Sequence, residues 1–270
     1  MKRILAVLGT SGAALGAGLA LWTAAQAAED AMAPEHHHWH FAGPFGAFDR
    51  AALQRGYQVY REVCADCHSM KYLSFRNLGQ EGGPFFDEHY PNPNENPVIR
   101  ALAAEFQISD GPDDSGLMFD RPGIPADTFP SPFPNEPAAR LANGGALPPD
   151  LSLITKARAH GPDYVRSLLT GYLDPPEDVE MMAGLHYNPW FSGGQIAMAP
   201  PLPPDRVFYE DGTEATTEQM AEDVVEFLTW AAEPHAEARK RLGFIVIGYL
   251  SILTILLWFS YKALWRGVKH

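Results

Sequence analysis

Cysteine is nearly absent from this chain: two residues in 270, which excludes a scaffold stapled by several disulfides. Basic residues are also scarce, 20 Lys and Arg against 33 Asp and Glu, for a formal charge of −13. That balance speaks against nucleic acid as a partner, because its binders are usually basic. Long hydrophobic runs are missing everywhere except at the two ends, and a mean hydropathy of −0.18 excludes a polytopic membrane protein. No internal repeat is evident. What is present is 46% hydrophobic residues, enough for a packed core, together with 24 Gly and 24 Pro. Most of the Gly and Pro fall between residues 79 and 213, so a loop-rich middle is expected.

The two ends differ in kind. Lys2 and Arg3 precede an Ala/Leu/Gly-rich run from Ile4 to Trp22, and Ala25-Gln26-Ala27 supplies small residues at the −3 and −1 positions. This is the layout of a secretory signal peptide cleaved after Ala27, the alternative being a retained anchor. Removing residues 1–27 takes away two positive charges and no acid, so −13 becomes −15. The run Leu242 to Tyr261 has 20 residues without a charge. At about 1.5 Å per residue a helix there spans about 30 Å, the hydrocarbon thickness of a bilayer. Arg239, Lys240 and Arg241 flank it on one side and Lys262, Arg266 and Lys269 on the other. This symmetry gives no orientation by charge; the signal peptide does, placing residues 28–241 outside and the tail 262–270 in the cytoplasm.

Both cysteines lie in Cys64-Ala65-Asp66-Cys67-His68. C-x-x-C-H is the attachment motif of c-type haem: two thiols add to the two vinyl groups, and the adjacent histidine becomes the proximal iron ligand. A zinc site would need four ligands, and no second cysteine pair exists. A thioredoxin-like dithiol needs a βαβ context, whereas the flanks read as helix. Asp49 is a plausible N-cap, and Leu53, Tyr57, Tyr60 and Cys64 follow on one helical face. An electron-transfer haem normally has a second axial ligand, usually Met, whose soft thioether raises the potential. Met118, Met181, Met182, Met198 and Met220 are within reach by sequence, Met70 being too close to His68. Met198 is the favoured candidate, since small residues and prolines around it (GGQIAMAPPL) make a rigid loop able to approach a flat group. A methionine merely packing in that loop is the plain alternative.

With those residues in view the chain resembles the cytochrome c1 family, the haem subunit of the cytochrome bc1 complex (ubiquinol–cytochrome c oxidoreductase). The resemblance rests on RGYQVYREVCADCHSMKYLSFRNL (55–78), MFDRPG (118–123), ARLANGGALPPDLSLITKAR (139–158), DYVRSLLTGYLDPP (163–176), GLHYNPWFSGGQIAMAPPL (184–202) and EDVVEFLTWAAEPHAEARKRLG (222–243). It implies a mainly α fold: a modified class I cytochrome c domain with long loop insertions and one C-terminal transmembrane helix. It implies one covalent haem c with His68 and Met198 as iron ligands, Arg158 and Tyr164 on a propionate, and Asn143, Pro148 and Pro149 lining the pocket. It further implies cytochrome b and a Rieske iron–sulfur protein as partner subunits, a soluble cytochrome c as acceptor, and no catalytic residue of the chain's own. The setting implied is a bacterial inner membrane, with the haem domain in the periplasm. A haem enzyme with an open iron position, and a generic anchored cytochrome feeding an oxidase, are the competing readings.

Elsewhere the reading is coarser. His36, His37, His38 and His40 suggest an ordinary polar arm or, less simply, a metal-binding one. Pro162 and Asp163 open a helix that stops near Gly171, and Thr216 with Gln219 looks like a capping box. Met220, Val224, Phe227, Leu228 and Ala231 form one apolar face of a helix that Pro234 ends. No Lys or Arg lies between Arg166 and Arg206, and seven acids with no further base follow from Arg206 to Glu226. Asp110, Asp113, Asp114 and Asp120 form another base-free cluster. These acids are expected to make a negative field that steers a basic acceptor, beyond keeping the protein soluble.

Overall fold

The helix expected before the cysteine pair forms, capped as its sequence suggests: the Asp49 carboxylate accepts from the Ala51 N–H at 2.9 Å. The computed structural model describes residues 31–267, so the signal-peptide region 1–27 lies outside the described residues. Among the described residues there are seven α-helices: α1 (Arg50–Val59), α2 (Phe75–Leu78), α3 (Pro97–Ala104), α4 (Glu136–Ala142), α5 (Pro162–Thr170), α6 (Thr217–Ala232) and α7 (Ala236–Leu264). Two short antiparallel hairpins complete them. β1 (Gln107–Asp110) pairs with β2 (Phe119–Pro122), and β3 (His186–Tyr187) with β4 (Gln195–Ile196).

Helix α1 runs directly into a π-helical turn, Tyr60–Cys64, in which the Ala65 N–H reaches the Tyr60 carbonyl at 2.8 Å. Such widened turns are rare and concentrate at functional sites. Leu53, Tyr57 and Tyr60 are buried as their spacing predicts, and Cys64 is half-buried at the end of the same face.

The core is the crossing of α1 and α6. Gly56 permits the approach: a Cβ there would overlap the Asp223 carbonyl and sit 2.7 Å from Phe227 Cβ. Around the crossing, Tyr57 and Phe227 meet edge to face at 5.7 Å, and Phe129 stacks on Phe75 at 4.5 Å. Thr216 caps α6 by accepting from the Gln219 N–H at 3.1 Å, which is half of the expected capping box. Met220, Val224, Phe227 and Leu228 of the expected apolar face are buried and Ala231 is half-buried, but Asp223 and Glu226 beside that face are buried too. Arg55 from α1 grips Asp223 with two hydrogen bonds of 2.9 Å, and Glu226 accepts from the Asp49 N–H at 2.7 Å. Buried carboxylates persist only with such partners.

Two expectations change. The histidine-rich segment is no free polar arm. It lies across α5 and α6, with Trp39 5% exposed and its indole N–H donating to Asp163 at 2.6 Å. His36 bonds the same carboxylate at 2.9 Å, and Glu35 N–H donates to Ser167 Oγ at 3.1 Å. One buried indole supplies both the apolar area and the donor that fasten a segment of otherwise polar composition. The acidic stretches are also less bare than their sequence suggests. Arg121, just past the Asp110–Asp120 cluster, folds back onto Asp110 and Asp127. Arg55 takes Asp211 as well as Asp223, and Arg166 takes Glu222.

Helix α7 is longer than the uncharged run 242–261 and carries Arg239, Lys240 and Arg241 in its first turns. It is long and apolar enough to cross a membrane, and no side chain from Arg241 to Gly267 is buried.

Candidate haem site

The π-helical turn delivers Cys64 and, three residues on, Cys67, both as free thiols. Burial pushes the Cys64 thiol up to about 12 and raises Cys67 in the same sense, so both are protonated at neutral pH. The chain then turns sharply, with the Cys67 and His68 N–H groups both bonding the Cys64 carbonyl at 3.2 and 2.9 Å. That turn holds His68 directly beside the thiols.

The His68 ring is oriented by a second segment. Its Nδ1 lies 2.8 Å from the Pro149 carbonyl, an acceptor only, so Nδ1 carries the proton and Nε2 keeps its lone pair. Burial lowers the His68 pKa, against the raising pull of the Pro149 carbonyl and Asp150, which favours the neutral ring a metal requires.

Pro149 is held in place by a clasp that sequence reasoning missed. Asp150 accepts from Ser69 Oγ at 2.8 Å, from Lys71 N–H at 2.9 Å and from Ser152 N–H at 2.9 Å. Leu151 N–H bonds the Ser69 carbonyl at 2.9 Å, and Ser152 Oγ accepts from Tyr72 N–H at 3.1 Å. The segment 149–152 is thus laced to 68–72, and the histidine tautomer follows from the lacing. The only sequence signal was the D-x-S pattern after two prolines, which reads locally as an Asx turn and gives no hint of a partner some 80 residues away.

The remaining expected residues fall in three places. The Arg158 guanidinium donates to the Ala157 carbonyl at 3.0 Å and lies near the Tyr164 hydroxyl; burial raises that phenol and the Arg158 charge opposes the rise. Arg158 is exposed and Tyr164 half-buried, so the pair presents a cation and a hydroxyl together. Asn143 ends α4, donating through Nδ2 to the Ala139 carbonyl at 2.7 Å, and Pro148 is half-buried next to Pro149. Met198 is half-buried in the loop after β4, its carbonyl accepting from Tyr172 OH at 3.0 Å.

That loop is anchored on both sides. Upstream, the fully buried Asn188 donates to the Leu168 carbonyl at 2.8 Å; downstream, Thr217 Oγ1 donates to the Leu202 carbonyl at 2.8 Å. Gly193 and Gly194, at φ 82 and 69, make the left-handed turn between β3 and β4. Of the other methionines, Met220 and Met70 are fully buried in the core, while Met118 and Met182 are exposed.

These donors fit haem: paired thiols, a neutral imidazole with a fixed tautomer, a thioether on a rigid loop and an Arg–Tyr pair suited to a carboxylate. They define a haem protein of mainly helical fold. The model of the cytochrome C1 family matches residues 39–268. Among relatives, cytochrome b/c1 of Bradyrhizobium diazoefficiens is 49% identical over 260 residues, covering 89% of this chain and 37% of its own length. Cytochrome c1-2 of Solanum tuberosum is 48% identical over 252 residues, 93% of each chain. Cytochrome c1 of Rhodospirillum rubrum is 46% identical over 273 residues, 95% of this chain and 96% of its own. The chain belongs to the cytochrome c1 family: its cofactor is haem, and it is an electron-transfer subunit of the cytochrome bc1 complex, an oxidoreductase.

Proposed function

We propose that the chain binds one haem, covalently, through Cys64 and Cys67, with His68 and Met198 as its axial ligands. It passes single electrons from a Rieske iron–sulfur protein to a soluble cytochrome c, alongside cytochrome b. Residues 1–27 are removed on export, 28–241 form the periplasmic head, 242–261 anchor it in the bacterial inner membrane, and 262–270 stay in the cytoplasm. When bound, haem supplies a one-electron ferric/ferrous couple.

The observation that carries this reading is the His68–Pro149 bond beside two free thiols, because it leaves Nε2 alone available as a ligand. The work of the chain is positional. The clasp at Asp150 holds the imidazole in one tautomer, and the rigid loop from Asn188 to Leu202 holds the Met198 thioether. The Arg158–Tyr164 pair binds propionate charge, while Pro148 and Asn143 help to keep water out. With His68 and Met198 both holding the iron, no position would be left for a substrate. The chain has no catalytic residue of its own.

The holoprotein tests this against the open-iron enzyme. A red-edge charge-transfer band of Met-ligated ferric haem and no carbon monoxide binding at neutral pH are expected. Rapid carbon monoxide binding refutes six-coordination. Co-purification with a multi-helix b-type cytochrome is expected as well; its absence from gently solubilised membranes favours the generic anchored cytochrome.

A further inference from the structure

The first turns of α7 hold a loop of the head. Lys240 Nζ donates to the Phe41 carbonyl at 2.6 Å and the Gly46 carbonyl at 2.9 Å, and Glu237 accepts from the Phe48 N–H at 2.8 Å. Phe41 turns inward, stacking on the buried Trp39 at 5.3 Å and meeting Phe48 at 5.1 Å. Phe45 does the opposite. It is 84% exposed, and its ring stacks on Phe244 of α7 with centroids 5.0 Å apart and planes within 8°.

The depth of Phe45 follows from that contact. Phe244 is the third residue of the uncharged run that begins at Leu242, so it lies about 3 Å along the axis past the start of that run. Because Lys240 and Glu237 fix the loop to the helix, the Phe45 ring stays level with Phe244 wherever the helix goes. A cleft of about 610 Å³ opens beside the two rings, walled in part by Phe45, Phe48, Pro234, Ala238 and Phe244. Exposed Arg239 and Arg241 sit one turn nearer the head, the level that lipid phosphates occupy beside a spanning helix. Arg239 also pairs with Glu233, and Arg241 lies 3.8 Å from Glu81, so what marks this face is the depth of the exposed aromatic, the kind of side chain that interfacial membrane contacts use.

We propose that the loop 44–47 is a second membrane footing, in which Phe45 enters the headgroup–acyl boundary beside Phe244 and phospholipid covers this face. The proposal rests on α7 being the membrane anchor. Two fixed contacts, the helix and the loop, define a plane and so limit how far the head can tilt, where a single helix leaves rotation about its own exit point.

The test places a photocrosslinker in the full-length, haem-loaded protein in its native membrane, as Phe45→p-benzoylphenylalanine, with Ile252→p-benzoylphenylalanine in the middle of the anchor for comparison. After illumination, intact mass is expected to show phospholipid adducts at both positions. Lipid adducts at Ile252 with none at Phe45, or a Phe45 adduct to a protein neighbour, overturn the footing and leave the anchor standing. No lipid adduct at either position overturns both. Should the first variant fail to load haem, Phe45→Trp in vesicles of phosphatidylcholine brominated near the carbonyl level reads the same point. Quenching beyond that of the unsubstituted protein is expected, and none refutes the proposal.

Discussion

At the scale of the residue, the thiols and the two proposed iron ligands separate cleanly in their consequences. Cys64→Ser together with Cys67→Ser removes both points of covalent attachment. The chain is expected to lose haem-dependent peroxidase staining after denaturing electrophoresis; staining retained by the double variant rules the attachment out. Met198→Leu leaves the thiols alone, so covalent haem persists while the sixth position opens. The midpoint potential is expected to fall by an amount on the order of 0.1 V, modest within the ~0.8 V that axial ligands span, because a soft ligand for ferrous iron is gone. Potentiometry that finds no change identifies a different ligand. The motif residues were legible because C-x-x-C-H compresses its chemistry into five consecutive positions. Asp150 and Asn188 were not: the bonds that matter reach Ser69 and Leu168, distant in sequence, and a local turn pattern such as D-x-S names no such partner.

At the scale of the element, α1 and α6 depend on one absent side chain. Gly56→Ala puts a methyl into the Asp223 carbonyl and Phe227, and the helices must separate to admit it. A loss of roughly 1–3 kcal/mol is expected from overpacking, seen as a lower urea midpoint with an unchanged m-value. An unchanged midpoint means the crossing is looser than described. The strap 31–48 gives a pH prediction. Burial alone would raise the Asp163 carboxyl, but bonds from His36, Trp39 Nε1 and His37 N–H outweigh it and hold its pKa below 3.8. A group depressed on folding adds stability that is complete above its unfolded pKa and fades as pH falls through the folded value. The strap is therefore expected to be secure at neutral pH and to loosen only below about pH 4. Proteolysis within 31–48 should rise over that acid range in the native protein and be pH-independent there in Asp163→Asn. Helix positions were readable from caps and spacing, as at Asp49 and Pro162. The strap was not, because its single buried indole sits among four histidines that read as surface.

For the whole molecule, charge is the property most exposed to revision by the fold. Sequence alone offers seven acids after Arg206, yet Arg55 and Arg166 pair with three of them and Glu226 is buried. Glu177, Asp178 and Glu180 remain exposed. If they flank the docking face, electron transfer to a basic cytochrome c is expected to slow steeply between about 0.01 and 0.15 M salt, as the Debye length contracts from roughly 30 to 8 Å. Neutralising all three should flatten that slope. A rate indifferent to salt in the native protein would show that this acidity serves solubility.

By itself the sequence determined the pairing of two thiols with an adjacent histidine, the apolar tail and the helices that carry their own caps, since each is encoded by neighbours in the chain. Periodicity and short motifs are local, so they survive without a fold. Tertiary structure alone decided the His68 tautomer, through a carbonyl at Pro149. It decided which acids stay free, through arginines that fold back from other segments, and it brought Phe45 level with Phe244. Apart from Arg121, whose acids lie 6 and 11 positions away, these are pairings between residues some fifty to two hundred positions apart, and no local pattern specifies a partner at that distance.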